Sequence, residues 1–400
     1  CVVGLLRLSH DRAAARVALW LEEWREVWWT VPIWFGVLVA LAVILRRIVR
    51  EEPLISGSGI PQTELALAGR LSFTWWRVLL AKFLGSWLAL FGGLALGREG
   101  PSIQMGGAVG AGFHALWRPA APHALTGSPY VVAGAVAGLA AAFGAPAAGV
   151  LFAFEEMKSR RDTSLIVAAC ASAIGAHLMI RIVFGMGRIL PFAGFEAPPL
   201  SSFWIVALEG AVFGVLGVGY NKTLLWLHDR EAGQTLIPDR WRALPPLLLA
   251  GCLALFAPLL IGGGESLIIF VALKTLILLL AFKYLFAQYS TVASIPGGLL
   301  MPILCLGALW GRLWAELPVS ALAAHGLASG SVQPYVLFGM VSYFAATVRA
   351  PLTGIVLVTE MSGTYTCLPG SLLAGLIACK VANLLHCPPV YDSLKERIRL

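Results

Sequence analysis

The segment YVVAGAVAGLAAAFGAPAAGVLFAF, residues 130–154, ends a run of 36 residues, 119–154, that contains no Asp, Glu, Lys or Arg. Three further uncharged runs cover residues 243–264, 284–311 and 317–348. Each is longer than the roughly 20 residues that a helix needs to cross a hydrocarbon core of about 30 Å. These runs predict a polytopic, all-α membrane protein.

The composition of the whole chain excludes other classes. Hydrophobic residues make up 58% of the 400 residues and charged residues only 12%, against roughly 25% charged in a soluble protein. The runs lack the alternation of a membrane β-barrel. The net charge of +8 comes from Lys and Arg scattered between apolar runs, which favours membrane loops over a nucleic-acid surface.

Two kinds of apolar segment are present. Uninterrupted spans are predicted at residues 28–45, 78–95, 166–184, 203–227, 243–261 and 267–285. Regions 97–154 and 290–360 are instead broken every few residues by Gly or Pro. Broken helices leave backbone N–H and C=O groups unpaired unless protein or a hydrated cavity satisfies them.

The two broken regions resemble each other. The pattern P-x4-G-x3-G recurs at an offset of 201 residues, and a second set of Gly, Ala, Pro and Glu positions recurs at an offset of 205. Paired interruptions of this kind indicate the binding site of a transporter. We therefore expect one membrane domain over residues 1–400, with a first repeat at about 1–190 and a second at about 200–400. The matched pairs include Pro101 and Pro302, Gly106 and Gly307, Gly110 and Gly311, Gly134 and Gly339, and Glu155 and Glu360.

Three glycine-rich turns each lead into a proline that can occupy the first turn of a helix. Exposed N–H groups and the positive end of the helix dipole make such a start an anion site. Three of them could replace the water shell of a small anion without a fixed cation, which would hold it too tightly for turnover. The alternative is that Gly and Pro only allow helices to pack and kink. The turns are Gly57-Ser58-Gly59-Ile60-Pro61, Gly97-Arg98-Glu99-Gly100-Pro101 and Pro296-Gly297-Gly298-Leu299-Leu300-Met301-Pro302.

With a C-terminal Pro389-Val390-Tyr391-Asp392-Ser393-Leu394, these turns resemble the motifs of the CLC chloride channel/transporter family over essentially the whole chain. The resemblance implies inverted repeats of tilted and broken helices, and a homodimer with one anion pathway per subunit. It also implies that Ser58 Oγ, Tyr391 Oη and the backbone N–H groups of Leu299 and Leu300 hold the anion. Leu300 departs from the usual Phe, so hydration and gating at that point stay open.

Glu99 lies in a turn that otherwise favours anions. Its carboxylate can occupy the place of the anion, so the side chain and the transported ion would compete. The resemblance makes this glutamate both the gate and a proton carrier. The alternative is a structural ion pair between Glu99 and Arg98 or another charged residue.

Glu155 and Glu156 end the long uncharged run. An acid inside a membrane is functional by default, although two acids at a helix end beside Lys158 could also be ordinary surface residues. Proton-coupled members of the family that the chain resembles carry an acid at the position of Glu156, which we therefore interpret as the inner proton acceptor. We interpret Glu155 as a structural or water-organising partner of Glu360.

The positive-inside bias places three basic clusters in the cytoplasm. Ser58 and Tyr391 would then face the anion from the inner side and Glu99 from the outer side. We also expect that the chain begins within the family's first membrane helix and that no soluble regulatory domain follows, as in prokaryotic members of the family. The expected location is the inner (cell) membrane of a prokaryote. The clusters are Arg46, Arg47 and Arg50; Lys158, Arg160 and Arg161; and Lys395, Arg397 and Arg399.

These observations favour a chloride/proton antiporter whose partners are chloride, protons, the lipid bilayer and a second copy of the chain. A passive chloride channel and a fluoride/proton antiporter remain alternatives. Ser58 argues against fluoride, whereas Leu299, Leu300 and Met301 depart from the usual third motif. No enzyme, metal or cofactor is expected, because the seven histidines are widely separated and form no zinc spacing.

Overall fold

The computed structural model describes residues 1–24, 27, 29–117, 125–158, 162–190, 192, 195–269, 273–324 and 333–398. The regular secondary structure in these ranges is helical, apart from one antiparallel bridge. The helices of the first half are α1 (Val2–Trp24), α2 (Thr30–Glu51), α3 (Ile60–Leu67), α4 (Trp75–Phe91), α5 (Glu99–Trp117), α6 (Pro129–Phe143), α7 (Pro146–Glu155) and α8 (Thr163–Ile182). Those of the second half are α9 (Phe203–Gly233), α10 (Leu244–Phe256), α11 (Glu265–Ile269), α12 (Leu273–Val292), α13 (Leu300–Trp314), α14 (Ser320–Ala324), α15 (Pro334–Val348), α16 (Pro351–Ser362), α17 (Leu368–Leu384) and α18 (Val390–Glu396).

In the described ranges, six helical segments are long and apolar enough to cross a membrane. Shorter apolar helices of 10–17 residues accompany them, and α6, α7, α15 and α16 are of this kind. The short helices fall in the two regions that the sequence predicted to be broken. Five predicted spans correspond to the helices α2, α4, α8, α9 and α10; in the same order, they are 28–45, 78–95, 166–184, 203–227 and 243–261. Residue 28 lies outside the described part.

The span predicted at 267–285 is misplaced. A short helix, α11, ends at Ile269, and the membrane helix α12 continues to Val292. The difference arises because α12 carries polar side chains that face protein rather than lipid. Lys283, Gln288 and Ser290 are fully buried, so hydropathy declines before the helix ends.

The sequence repeat is reproduced in the way that the helices cross. At Gly106 and Gly134, α5 and α6 approach so closely that a side chain on either glycine would collide with the backbone carbonyl of the other. At Gly307 and Gly339, α13 and α15 do the same, and a Cβ on Gly307 would lie 2.8 Å from the Gly339 carbonyl oxygen. Small residues permit this close backbone approach in membrane proteins.

Two glutamates connect the halves by reciprocal capping. Glu155, at the end of α7, accepts hydrogen bonds from the N–H groups of Leu352 (3.1 Å) and Thr353 (2.6 Å) at the start of α16. Glu360, on α16, accepts from the N–H groups of Ala147 (3.1 Å) and Ala148 (2.9 Å) at the start of α7. Each carboxylate accepts hydrogen bonds from N–H groups that have no acceptor within their own helix. The geometry therefore gives this pair a structural role.

Candidate functional site

The three glycine-rich turns are joined by backbone hydrogen bonds. Gly97 N–H donates to Gly298 O at 2.6 Å, and Gly298 N–H donates to Gly97 O at 2.7 Å. Gly57 N–H donates to Ile295 O at 3.2 Å, and Gly297 N–H donates to Gly57 O at 2.9 Å. Turns far apart in the sequence therefore meet at one point in the molecule.

Each turn opens a helix at this point. Helix α3 begins at Ile60, α5 at Glu99 and α13 at Leu300, and Pro61, Pro101 and Pro302 occupy their first turns, as the sequence predicts. A Cβ on Gly100 would lie 2.9 Å from the Ser58 Cβ and 3.2 Å from the Gly298 Cα. Three helix starts, each with its positive dipole end, thus converge within van der Waals distance.

Ser58 is buried beside the start of α3. Its Oγ accepts a hydrogen bond from Ile60 N–H at 3.3 Å, and its O–H has no acceptor among the described residues. The turn before it is held by Lys82, a fully buried lysine of α4 whose Nζ donates to Ile55 O (2.8 Å) and Gly57 O (2.7 Å). Ser58 is thus a fixed side chain with an unused donor.

Tyr391 supplies a second unused donor. It is fully buried in the largest apolar cluster, and its hydroxyl has no hydrogen-bond partner in the described part of the chain. Buried polar groups nearly always have a partner, so this hydroxyl is a candidate donor to a bound ligand. Leu299 and Leu300, at the start of α13, are also buried, and the first N–H groups of a helix have no intrahelical acceptor.

Glu99 is fully buried, and neither carboxylate oxygen has a partner among the described residues. The carboxylate is folded back toward Gly97, where any side chain would collide with it. Arg98 points elsewhere, because its guanidinium binds Asp11 at 2.8 Å and Glu265 at 3.0 Å. The alternative of a structural Glu99–Arg98 ion pair is therefore wrong.

Glu156 follows α7 directly and is 5% exposed. It borders a cavity of about 460 Å³ whose lining includes Glu64, Lys158 and Lys395. A different cavity, of about 420 Å³, leads to Ser58 and Leu299 and is lined by Arg242 and Arg397. The two cavities share no lining residue. Ser58 and Glu156 are therefore reached from solvent through different cavities.

The basic clusters lie around these two cavities. Arg46 and Arg50 bind Asp239 close to Arg242, and Lys158 binds Asp392 at 2.8 Å. Arg160, Arg161 and Arg399 lie outside the described residues. Among the described basic residues, Arg242 and Arg397 line one cavity and Lys158 and Lys395 line the other.

Sequence reasoning did not find Glu64 or Lys82. Glu64 is buried three positions after Pro61, and Lys395 binds its carboxylate. Lys82 is a single charge inside the predicted span 78–95, and an isolated charge within a membrane span indicates a functional residue. Within the described ranges, no group of His, Cys, Asp and Glu is placed to hold a metal ion.

Comparison with known proteins connects this geometry to a family. The family model described as "Voltage gated chloride channel" matches residues 28–383. An H⁺/Cl⁻ exchange transporter ClcA of Vibrio campbellii is 36% identical, over 99% of this chain and 87% of that protein. The ClcA protein of Klebsiella pneumoniae is 34% identical, over 96% of this chain and 82% of that protein.

A solved structure has the same architecture. The slow cyanobacterial Cl⁻/H⁺ antiporter superposes with a TM-score of 0.90 at 29% identity, covering 99% of this chain and 95% of that one. These findings confirm the resemblance and the all-helical fold expected from the sequence. The chain is an integral, multi-pass membrane protein and belongs to the voltage-gated chloride channel family.

Proposed function

We propose that the chain is a secondary antiporter that exchanges chloride for protons. The observation that carries the proposal is the position of the Tyr391 hydroxyl, which is buried, has no partner in the described chain and lies within electrostatic range of both Glu99 and Glu156. One unused anion donor thus has two buried carboxyls, Glu99 and Glu156, among its electrostatic neighbours. The curated relatives with 34–36% identity carry the name H⁺/Cl⁻ exchange transporter.

The anion would be held by four donors. Ser58 O–H lies beside the start of α3, and the N–H groups of Leu299 and Leu300 lie at the start of α13. Tyr391 O–H is an unused donor in the same apolar cluster as Leu299 and Leu300. These donors are neutral dipoles, so they can replace water around chloride and still release it. The cavity of about 420 Å³ that reaches Ser58 supplies the inner entrance.

Glu99 would couple the two ions. Its carboxylate is folded against the start of α5, where the dipole favours any negative charge. An arriving chloride displaces the carboxylate by like-charge repulsion and favours its protonation. The protonated side chain has lost its charge, and the place that it leaves is open to chloride.

Glu156 would exchange protons with the inner solution. It borders its own cavity, so a proton can enter without using the chloride entrance. A passive channel needs no second buried acid on a separate cavity. Glu156 therefore favours the antiporter over the channel.

The test is a simultaneous measurement of chloride and proton flux in proteoliposomes at a fixed chloride gradient. The antiporter drives protons uphill at the expense of the chloride gradient. Chloride flux with no proton movement would identify a passive channel. Fluoride that outcompetes chloride would identify the fluoride/proton alternative.

A homodimer within the lipid bilayer is part of the same proposal. It is supported by the resemblance and by large apolar side chains that are exposed in the region 243–285. Cross-linking in native membranes tests it, and a monomer in the bilayer would contradict it. These side chains include Leu249, Phe256, Ile277, Leu278, Phe282 and Leu285.

A further inference from the structure

A cluster of charges lies beside Glu99, away from the inner cavities. Its centre is Arg98, which is buried and binds Asp11 of α1 at 2.8 Å and Glu265 of α11 at 3.0 Å. Three segments distant in sequence thus meet through one guanidinium. Two carboxylates fully compensate the charge of Arg98.

Arg7 belongs to the same cluster, but no carboxylate is hydrogen-bonded to its Nε or to one of its Nη atoms. It lies on α1 one turn before Asp11 and is only 6% exposed. Its Nε and one Nη have no hydrogen-bond partner, and it makes no ion pair with any described carboxylate. Its electrostatic neighbours are Arg98, Asp11, Glu265 and Glu99.

A buried guanidinium without a partner is costly. The nearby carboxylates of Asp11 and Glu265 are already bound to Arg98, and the Glu99 carboxylate is folded back toward Gly97. The unused donors of Arg7 are therefore available to an anion from solution. They are planar and directional, as anion recognition by arginine requires.

We propose that Arg7 forms an outer subsite for a small anion, chloride in the first instance, on the side of Glu99 opposite Ser58 and Tyr391. The proposal rests on the proposed function and extends it. The subsite raises the local chloride concentration at the point where chloride must displace the Glu99 carboxylate. Asp11 and Glu265 weaken the attraction of the two arginines, so the anion is held briefly and passed inward rather than trapped.

The direct test uses crystals of the whole protein soaked in bromide, with anomalous scattering to locate the ion. A peak within hydrogen-bond distance of the Arg7 guanidinium is expected in the wild type and in Arg12→Gln, a matched control because Arg12 is exposed on the same helix. The peak should disappear in Arg7→Gln. A wild-type crystal with bromide at Ser58 and Tyr391 but none at Arg7 overturns the subsite alone, whereas the absence of the central peak contradicts the proposed function.

The functional test varies chloride on one side at a time in oriented proteoliposomes. Arg7→Gln should raise the half-saturating outer chloride concentration by about tenfold, the effect of losing roughly 1.4 kcal/mol of binding. The inner value should not change, and Arg7→Lys should restore part of the loss. Equal changes on both sides, or no change, would contradict the subsite.

The Glu99→Gln background distinguishes the anion subsite from a second role for Arg7, in which Arg7 binds the displaced Glu99 carboxylate. If Arg7 instead receives the displaced Glu99 carboxylate, the effect of Arg7→Gln vanishes once that carboxylate has been removed. An anion subsite predicts that the shift in outer chloride dependence persists. Loss of the shift would reject the proposal.

Discussion

Gly97 and Gly298 exchange two backbone hydrogen bonds, of 2.6 and 2.7 Å, across the two halves of the chain. These residues are 201 positions apart, and each lies two residues before the start of a helix, α5 or α13. The pair therefore fixes Glu99 relative to the N–H groups of Leu299 and Leu300. The separation between the Glu99 backbone and these N–H groups is thus set by backbone hydrogen bonds and does not depend on the Glu99 rotamer.

Gly298→Ala should disrupt this bridge. A Cβ there would lie 2.9 Å from Gly100 N and 3.1 Å from Gly97 O, and backbone atoms cannot move aside as a flexible side chain can. We expect a loss of stability of about 1–3 kcal/mol and weaker chloride binding, measured by thermal unfolding and isothermal titration. Gly219→Ala is the control, since nothing lies within 4 Å of that position; equal behaviour of the two variants would contradict the prediction.

Glu99→Gln should abolish proton coupling and preserve chloride flux. The neutral amide cannot bind and release a proton. It also carries no negative charge with which to compete with chloride for the site. Paired chloride and proton flux in proteoliposomes measures the effect. The exposed Glu196→Gln should retain coupled exchange, and proton movement that persists in Glu99→Gln would remove Glu99 from the mechanism.

Glu156→Gln and Glu155→Gln should separate function from structure. The first removes the proton acceptor on its cavity, so coupling should fail while the protein stays folded. The second weakens the cap of α16, where Glu155 also accepts from Thr353 Oγ1 at 2.8 Å, and should cost about 0.5–2 kcal/mol with coupling retained. Unaltered exchange in Glu156→Gln would favour the channel.

Lys82→Met should weaken anion binding without touching an anion ligand. The carbonyls of Ile55 and Gly57 would lose their buried donor, which costs roughly 1–3 kcal/mol and releases the turn that carries Ser58. Titration with chloride and thermal unfolding check both effects. Lys380→Met, an exposed lysine of α17, should change neither; unchanged chloride affinity in Lys82→Met would show that Ser58 is held by other contacts.

Asp239→Asn should lower stability in a pH-dependent way. Hydrogen bonds from the guanidinium of Arg46, and then of Arg50, hold the pKa of Asp239 below its usual value. A lowered folded-state pKa stabilises the fold above the unfolded value of about 3.9 and loses this contribution as pH falls through the folded-state pKa. The difference in Tm from wild type should therefore be full at pH 7 and shrink below about pH 4; a constant difference would contradict the ion-pair origin.

Much of the site was predictable because its residues belong to contiguous motifs. Ser58 and Glu99 lie in short glycine-proline turns, and helix starts of this type are recognisable from local sequence. The lengths of the helices were less predictable. Helix α12 was misplaced because hydropathy records side-chain polarity, whereas the buried Lys283 and Gln288 face protein instead of lipid.

The sequence by itself determined that the chain lies in a membrane, that its two halves are related, and that three glycine-proline turns open helices. Hydropathy and turn chemistry are local properties, so a linear reading suffices for them. Only the tertiary structure decided which charges have partners. Arg98 is satisfied by Asp11 and Glu265 while Arg7 is not, because pairing depends on distances between segments that no spacing along the chain records.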